Sequence, residues 1–465
     1  MESNSGPAQS DVKKLTQQLK AWDKQYVWHP FSQMQDYDIE DPLVIASGEG
    51  IYVYDVEGNR YIDGNASLWV NLHGHAHPAI NQALSEQAQR IAHSTLLGSS
   101  NVPSIEFAKR LIDLAPEGLA KVFYSDNGST AMEVAVKMAF QYWQQSKNSR
   151  PSRCKFIKFE DAYHGDTLGS VSVGGIDLFH GLFQPLLFDT FSAPYPVYSR
   201  YTSPDSPEQL VQRSIDACQA ILNEHEDEVA AIVIEPLVQG ASGIQTMAPG
   251  FLKPLRELCD RYGVLLICDE VFVGFGRTGT LFGCNHEGIT PDLMALAKGI
   301  NGGYLPLAAT LATDEIYQAF LGNYSEFKQF FHGHSFTGNQ LGCATALASI
   351  DLLEQNNTLQ AMQPSIERLQ QRLDALFEQC DQVQDIHQVG LIAGIDICAS
   401  RQNNQPFPIE NKMGYQACQA MRKHGVLLRA LGNTLVVVPP LVITPDQIDA
   451  LMDGIEAGMN DALAP

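Results

Sequence analysis

Between about residues 75 and 340, short β-branched apolar runs alternate with longer stretches of helical periodicity. That rhythm predicts βαβ units and a mostly parallel sheet, because parallel strands need a crossover that a helix supplies. The clearest strands are Lys121–Tyr124, Lys155–Phe159, Ala230–Ile234 and Val264–Cys268. Upstream, residues 1 to about 11 read as disordered, and Leu15 to Trp28 predicts an amphipathic helix ended by His29-Pro30. Gly50–Asp55 and Arg60–Asp63 flank Gly58-Asn59 as a β-hairpin. After residue 340 a long helix and a second one, Leu359–Cys380, precede the strand-like runs Leu391–Ile397, Val426–Arg429 and Leu435–Val438. The expected architecture is α/β: residues 1–74 join a small domain, 75–340 form a large domain, and 341–465 form a small α+β domain.

Composition narrows the function. A chain of 465 residues with 45% hydrophobic and 18% charged positions is an ordinary globular protein with room for more than one core. Its net charge of −23, with no basic stripe, excludes a nucleic-acid surface. The nine cysteines are scattered without paired spacing, which fits reduced thiols in a cytoplasm. The polar N-terminus lacks a signal-peptide core, and no run of about 18 apolar residues predicts a membrane span.

Candidate chemistry gathers where strands end, the place ligands occupy in parallel α/β sheets. Lys298 closes the apolar run Leu293–Ala297, and Asp269 closes Val264–Cys268. A lone lysine there is more often a surface charge. An amine in a partly dry pocket has a lowered pKa and condenses with aldehydes. Paired with a carboxylate, it points to pyridoxal phosphate (PLP), which needs a lysine, an acid for its pyridine nitrogen and a phosphate cradle.

Lys121–Tyr124 leads through Gly128 and Ser129 into a helix, with Thr130 and Glu133 as an expected capping box. Small residues before such a start present backbone N–H groups to a phosphate. Lys155–Phe159 leads to Tyr163, able to stack on a flat ring, and to Asp166. Ala230–Ile234 leads to Glu235 and Gln239, able to bond a ring hydroxyl and a substrate.

The GxGxxG at Gly274–Gly279 does not follow a strand directly or open a helix, so a dinucleotide site is rejected in favour of a loop. His73, His75, His77, His332 and His334 lack metal-ligand spacing, and no metal is expected. The rivals are therefore a nucleotide-binding module and a metal hydrolase, both weaker than the PLP reading.

Six stretches carry a resemblance: DNGSTAMEVAVKMA (126–139), AYHGDTLG (162–169), IEPLVQGASG (234–243), ICDEVFVGFGRTG (267–279), LMALAKGINGGYLP (293–306) and HGHSFTGNQLGCA (332–344). They resemble, in order, the class III aminotransferases, PLP enzymes of fold type I. Trp28–Met34, Ser67–Val70, His93–Thr95 and Leu428-Arg429 are further similar to the diaminopelargonate aminotransferases of biotin synthesis. Those enzymes convert 7-keto-8-aminopelargonate to 7,8-diaminopelargonate.

The resemblance implies Lys298 as the Schiff-base lysine and Asp269 as the partner of the pyridinium nitrogen. It places Gly128 and Ser129 at the phosphate, Tyr163 on the ring and Gln239 near the ring hydroxyl. Ser335 falls where a hydroxyl from a second subunit completes the phosphate site, implying a homodimer with composite active sites. Trp69, Asp166 and Arg429 fall at the substrate, and the Arg429 guanidinium suits a carboxylate. Phe31 stands where many relatives carry tyrosine, which leaves S-adenosylmethionine and lysine both open as amino donor. Within the same family, a transaminase of ω-amino acids or amines using pyruvate is the alternative.

Overall fold

A computed structural model describes residues 9–463. The expected disorder of residues 1–8 lies outside the described residues, whereas 9–11 already belong to the helix Gln9–Tyr26. That helix starts earlier than the apolar pattern indicated because its first residues, Gln9, Ser10 and Asp11, are polar and carry no periodic signal.

The large sheet has seven strands in the order Leu119–Ser125, Ala308–Thr313, Leu293–Leu296, Leu265–Asp269, Val229–Ile234, Lys155–Phe159 and Thr190–Ala193. Ala308–Thr313 runs antiparallel to both neighbours. The other pairs are parallel, so Leu119–Ser125 points the same way as the rest. Every residue of Val229–Ile234, Leu265–Asp269 and Leu293–Leu296 is buried. Helices cover both faces of such strands, which explains their unbroken apolar runs. Ala308–Thr313 escaped the sequence reading because Ala-Ala-Thr-Leu-Ala-Thr has few β-branched residues. Its place between two strands, not its propensity, makes it a strand.

The helix Gly128–Gln145 buries Ala131, Ala135, Met138, Ala139 and Tyr142, the face its periodicity indicated. Trp143 pins it to the sheet by donating from Nε1 to the Ala230 carbonyl at 2.8 Å.

Outside the large sheet, Tyr52–Asp55 and Arg60–Asp63 form the expected hairpin, extended by Ile45–Glu49. Val426–Leu427 joins Arg60–Asp63 in parallel, tying the N-terminal segment to the C-terminal one. A second sheet holds Val383–Val389, Ile392–Ser400, Thr434–Val437 and Arg429–Leu431. The helix Gln340–Gln355 packs on Pro78–Arg90 and Val102–Leu114. Among the described residues no helix is long and apolar enough to cross a membrane.

Candidate active site

Six strands of the large sheet point the same way and deliver their carboxyl ends to one edge, and five of them lead into the candidate residues. Gly128, Ser129, Tyr163, Asp269 and Lys298 line one cavity of about 490 Å³. A second cavity of about 770 Å³ shares Trp69, Tyr163 and Lys298 and is lined also by Phe31, Gln239 and Arg429. Asp166 and Ser335 line neither. Asp166 is exposed, its Oδ2 accepts from the Tyr163 hydroxyl at 2.7 Å, and its N–H donates to Ser129 Oγ at 3.0 Å. Ser335 is exposed in the loop that precedes the helix Gln340–Gln355.

Lys298 is half-buried with φ +46°, a left-handed conformation forced by the turn out of its strand. Its Nζ lies 4.7 Å from the centre of the Trp69 ring and 5.0 Å from that of Phe272. Burial pulls the ammonium down to about 8, opposed in part by the negative charges of Asp269 and Glu235. Asp269 is buried; its Oδ2 pairs with His164 Nδ1 at 2.7 Å and its Oδ1 accepts from the Val271 N–H at 3.0 Å.

His164 Nε2 is buried without a partner. In the sequence His164 stands only as part of the stretch AYHGDTLG (162–169). Its position directly after the ring-stacking candidate was the available signal. Glu235 accepts from the N–H groups of Tyr163 at 2.9 Å and Gly240 at 3.1 Å. Burial pushes its carboxyl up to about 7.

The helix over the cradle begins at Gly128, so the expected Thr130–Glu133 box is corrected. Asn127 is extended and caps instead. Its side chain accepts from the Thr130 N–H at 3.0 Å, while Thr130 Oγ1 accepts from the Asn127 N–H at 3.2 Å. Glu133, a turn too deep to cap, accepts from the Gly169 N–H at 2.7 Å. The amides of Gly128 and Ser129 occupy the first two helical positions and have no partner within the helix. A Cβ on Gly128 would meet Val271 Cγ1 at 2.7 Å, so glycine is needed for the close approach. Gln239 donates from Nε2 to the Glu160 carbonyl at 2.8 Å, leaving Oε1 buried without a partner. Free amides at a helix start, an orphaned acceptor, a desolvated amine and a braced carboxylate together fit a phosphorylated aromatic aldehyde.

The second cavity is built differently. Ala66, Ser67, Leu68 and Trp69 have φ of +43°, +39°, +66° and +73°, a left-handed turn of four L residues. Each such residue costs about 1–2 kcal/mol, and runs of them are avoided. Trp69 is buried, and its indole N–H has no partner. Phe31 meets Phe179 edge-on at 5.4 Å.

The glycine-rich segment 274–279 is a loop, as expected, and its Arg277 is buried, donating to the carbonyls of Pro439 at 2.5 Å and Asn71 at 2.9 Å. Burial lowers that guanidinium to about 9. The histidines have separate partners: His73 with Ser349 at 2.9 Å, His75 with Asp63 at 2.9 Å, and His332 with Lys137 at 3.0 Å. His77 caps the helix Pro78–Arg90, and His334 Nδ1 accepts from the Phe336 N–H at 3.3 Å.

This geometry, an amine and a carboxylate at adjacent strand ends above a helix start, defines a family. The family model "Aminotransferase class-III" matches residues 35–459, and the chain belongs to that family. It is 53% identical over 446 residues to the adenosylmethionine-8-amino-7-oxononanoate aminotransferase of Geobacter sulfurreducens, covering 96% of this chain and 98% of that one. The crystal structure of the enzyme of that name from Methanocaldococcus jannaschii is similar with a TM-score of 0.89 at 40% identity, covering 96% of this chain and 99% of that one. An ω-transaminase from Pseudomonas jessenii, solved in complex with PMP, has a TM-score of 0.89 at 29% identity over 96% of this chain and 98% of its own.

Proposed function

We propose that the protein is the PLP-dependent aminotransferase that converts 7-keto-8-aminopelargonate to 7,8-diaminopelargonate in biotin biosynthesis, with S-adenosylmethionine as amino donor. The observation that carries this reading is the junction of the two cavities at Lys298. One side offers a helix start and an acid, the other a guanidinium, and the Trp69 indole lines both.

PLP, when bound, supplies an aldehyde for amines and a ring that draws electrons from the bonded carbon. Gly128 and Ser129 would hold its phosphate with backbone N–H groups. Asp269, braced by His164, would keep the ring nitrogen protonated, and Gln239 Oε1 would receive the ring hydroxyl. Tyr163 would cover the ring. With the cofactor in place, the Lys298 amine would be the group that takes the proton from the donor's amine-bearing carbon and gives it back. Its lowered pKa supports this role, because a fully protonated amine accepts nothing. Arg429 grips the substrate carboxylate as a bidentate fork, and Trp69 walls the chain beside the reacting carbon. Asp166 acts on the substrate through the Tyr163 hydroxyl it holds.

Ser335 is read as completing the phosphate cradle of a second copy, in a homodimer with composite sites. Its exposure, outside both cavities of its own chain, supports that reading. All nine cysteines are free, which fits a cytoplasmic enzyme.

The names of the relatives support S-adenosylmethionine, while Phe31 in the substrate cavity keeps lysine as the second arm of the test. In single-turnover spectroscopy of the PLP-loaded protein, S-adenosylmethionine should bleach the visible band and 7-keto-8-aminopelargonate should restore it. Bleaching by lysine alone would reassign the donor. Bleaching only by ω-amino acids or simple amines would overturn the biotin reading. The ω-transaminase neighbours show that fold alone does not separate these activities.

A further inference from the structure

We propose that Asp63 is a positioning residue for the substrate half of the site, holding Trp69 and Arg429 in place through the left-handed turn between them. The proposal rests on the substrate reading above for what Arg429 binds.

Asp63 is fully buried at the end of the strand Arg60–Asp63. Its Oδ2 accepts from the Ser67 N–H at 2.7 Å, the Ser67 hydroxyl at 2.8 Å and His75 Nε2 at 2.9 Å, and its Oδ1 accepts from the Asn65 N–H at 3.2 Å. Asn71 Nδ2 lies 3.2 Å from His75 Nδ1. An amide N–H can only donate there, so Nε2 carries the ring proton and donates to Asp63.

The carboxylate therefore gathers donors from the entry to a turn that L residues resist, at Asn65 and Ser67, and from His75 beyond it. A buried anion fully used by such donors persists because the geometry it imposes is needed. Two outputs leave the turn. One is Trp69, whose N–H donates to the Asn65 carbonyl at 2.6 Å and whose ring stands over Lys298. The other is Asn65, whose Oδ1 accepts from the Arg429 N–H at 3.2 Å. The register continues behind it, with Leu427 opposite Asp63 and the Gly64 N–H donating to the Leu427 carbonyl at 3.1 Å. One carboxylate thus sets both the indole and the backbone of the guanidinium, while touching neither cavity.

The test uses the PLP-loaded protein and nonanoate, which carries the carboxylate and the apolar chain without the ketone. In Asp63→Asn, the nonanoate dissociation constant from calorimetry and the KM for 7-keto-8-aminopelargonate should rise about tenfold, the effect of losing a hydrogen bond to a charged group. The cofactor's band and affinity should hold, and kcat should change little. Adding Ser67→Gly should restore nonanoate binding, because glycine enters the left-handed region without steric cost. If Asp63→Asn does not fold, Ser67→Gly should bind nonanoate more tightly than Ser67→Ala.

Wild-type nonanoate affinity in Asp63→Asn overturns the proposal. So does a parallel fall in nonanoate affinity, cofactor affinity and Tm that glycine fails to rescue, or Ser67→Gly no better than Ser67→Ala. A wild-type protein that binds nonanoate but does not turn over the keto acid overturns the substrate reading alone. One that binds no nonanoate overturns both.

Discussion

The two halves of the site are made in opposite ways. The cofactor half comes from the ends of neighbouring strands in one sheet, so each residue lies within a few positions of a buried apolar run. Asp269 ends its strand, and Lys298 follows its own by two residues. The substrate half is assembled from Phe31, the turn Ala66–Trp69 and Arg429, segments far apart in sequence. The first half inherits its geometry from the sheet. The second is held by a buried carboxylate and a strained turn, so it should break selectively.

The largest expected effect is in the cofactor half. Lys298→Ala should lose at least ~10²–10⁴-fold in both half-reactions, the contribution of a positioned acid–base group. Stopped-flow absorbance with each substrate separately checks it. Retention of either half-reaction would remove Lys298 from the chemistry. Arg429→Ala should raise the KM for the keto acid by about ten- to a hundredfold, as loss of a charged hydrogen-bonding partner does. It should leave the cofactor's spectrum alone, because Arg429 lines only the substrate cavity. A spectral change with unaltered KM would mean that the two halves are not separate.

The same contrast explains what the sequence made legible. Lys155–Phe159 is an observed strand with the bounds its apolar run indicated, and Lys298 and Asp269 stand where a parallel sheet collects ligands. The fold class and the cofactor chemistry follow from such local signals. Ala308–Thr313 was hidden because its partners, not its residues, make it a strand. Asp63 was hidden because it reads as the polar end of a hairpin, and no periodicity encodes a left-handed turn. Asn127 lost the cap to Thr130 in the sequence reading because a capping signature fixes spacing but not the residue at which the helix starts.

A pH series sharpens the comparison further. Lys298 sits near 8 in the folded protein against 10.5 for a free lysine. Between those values the unfolded chain holds a proton that the folded one has released, so the cofactor-free protein should gain stability as pH rises through that window. Glu235 has the opposite sign. Its folded value near 7 lies above the ordinary 4.5, so stability should fall as pH rises between them. Capture of PLP by the cofactor-free protein should accelerate up to about pH 8 and then level off, following the neutral Lys298 amine. Acceleration that continues towards 10.5 would mean that the amine is not desolvated. Glu235→Gln should flatten the acid-side stability loss while leaving nonanoate binding unchanged.

The smallest effect tests whether the cofactor half depends on its helix start. Asn127→Ala removes the side-chain acceptor for the Thr130 N–H, a loss that costs about 1 kcal/mol in helix caps. Most of that should appear as a small drop in Tm. The free amides of Gly128 and Ser129 lie in the same first turn, so fraying should also weaken PLP by a few-fold, read by equilibrium dialysis. Nonanoate affinity should stay at the wild-type value, because Asn127 lines the cofactor cavity only. Glu133→Ala is the matched control. It leaves the cap intact and removes only the acceptor for the Gly169 N–H. If both variants weaken PLP equally, the cradle is set by the loop Tyr163–Gly169 rather than by the capped helix. If only Asn127→Ala does, the first turn of that helix is what positions the phosphate.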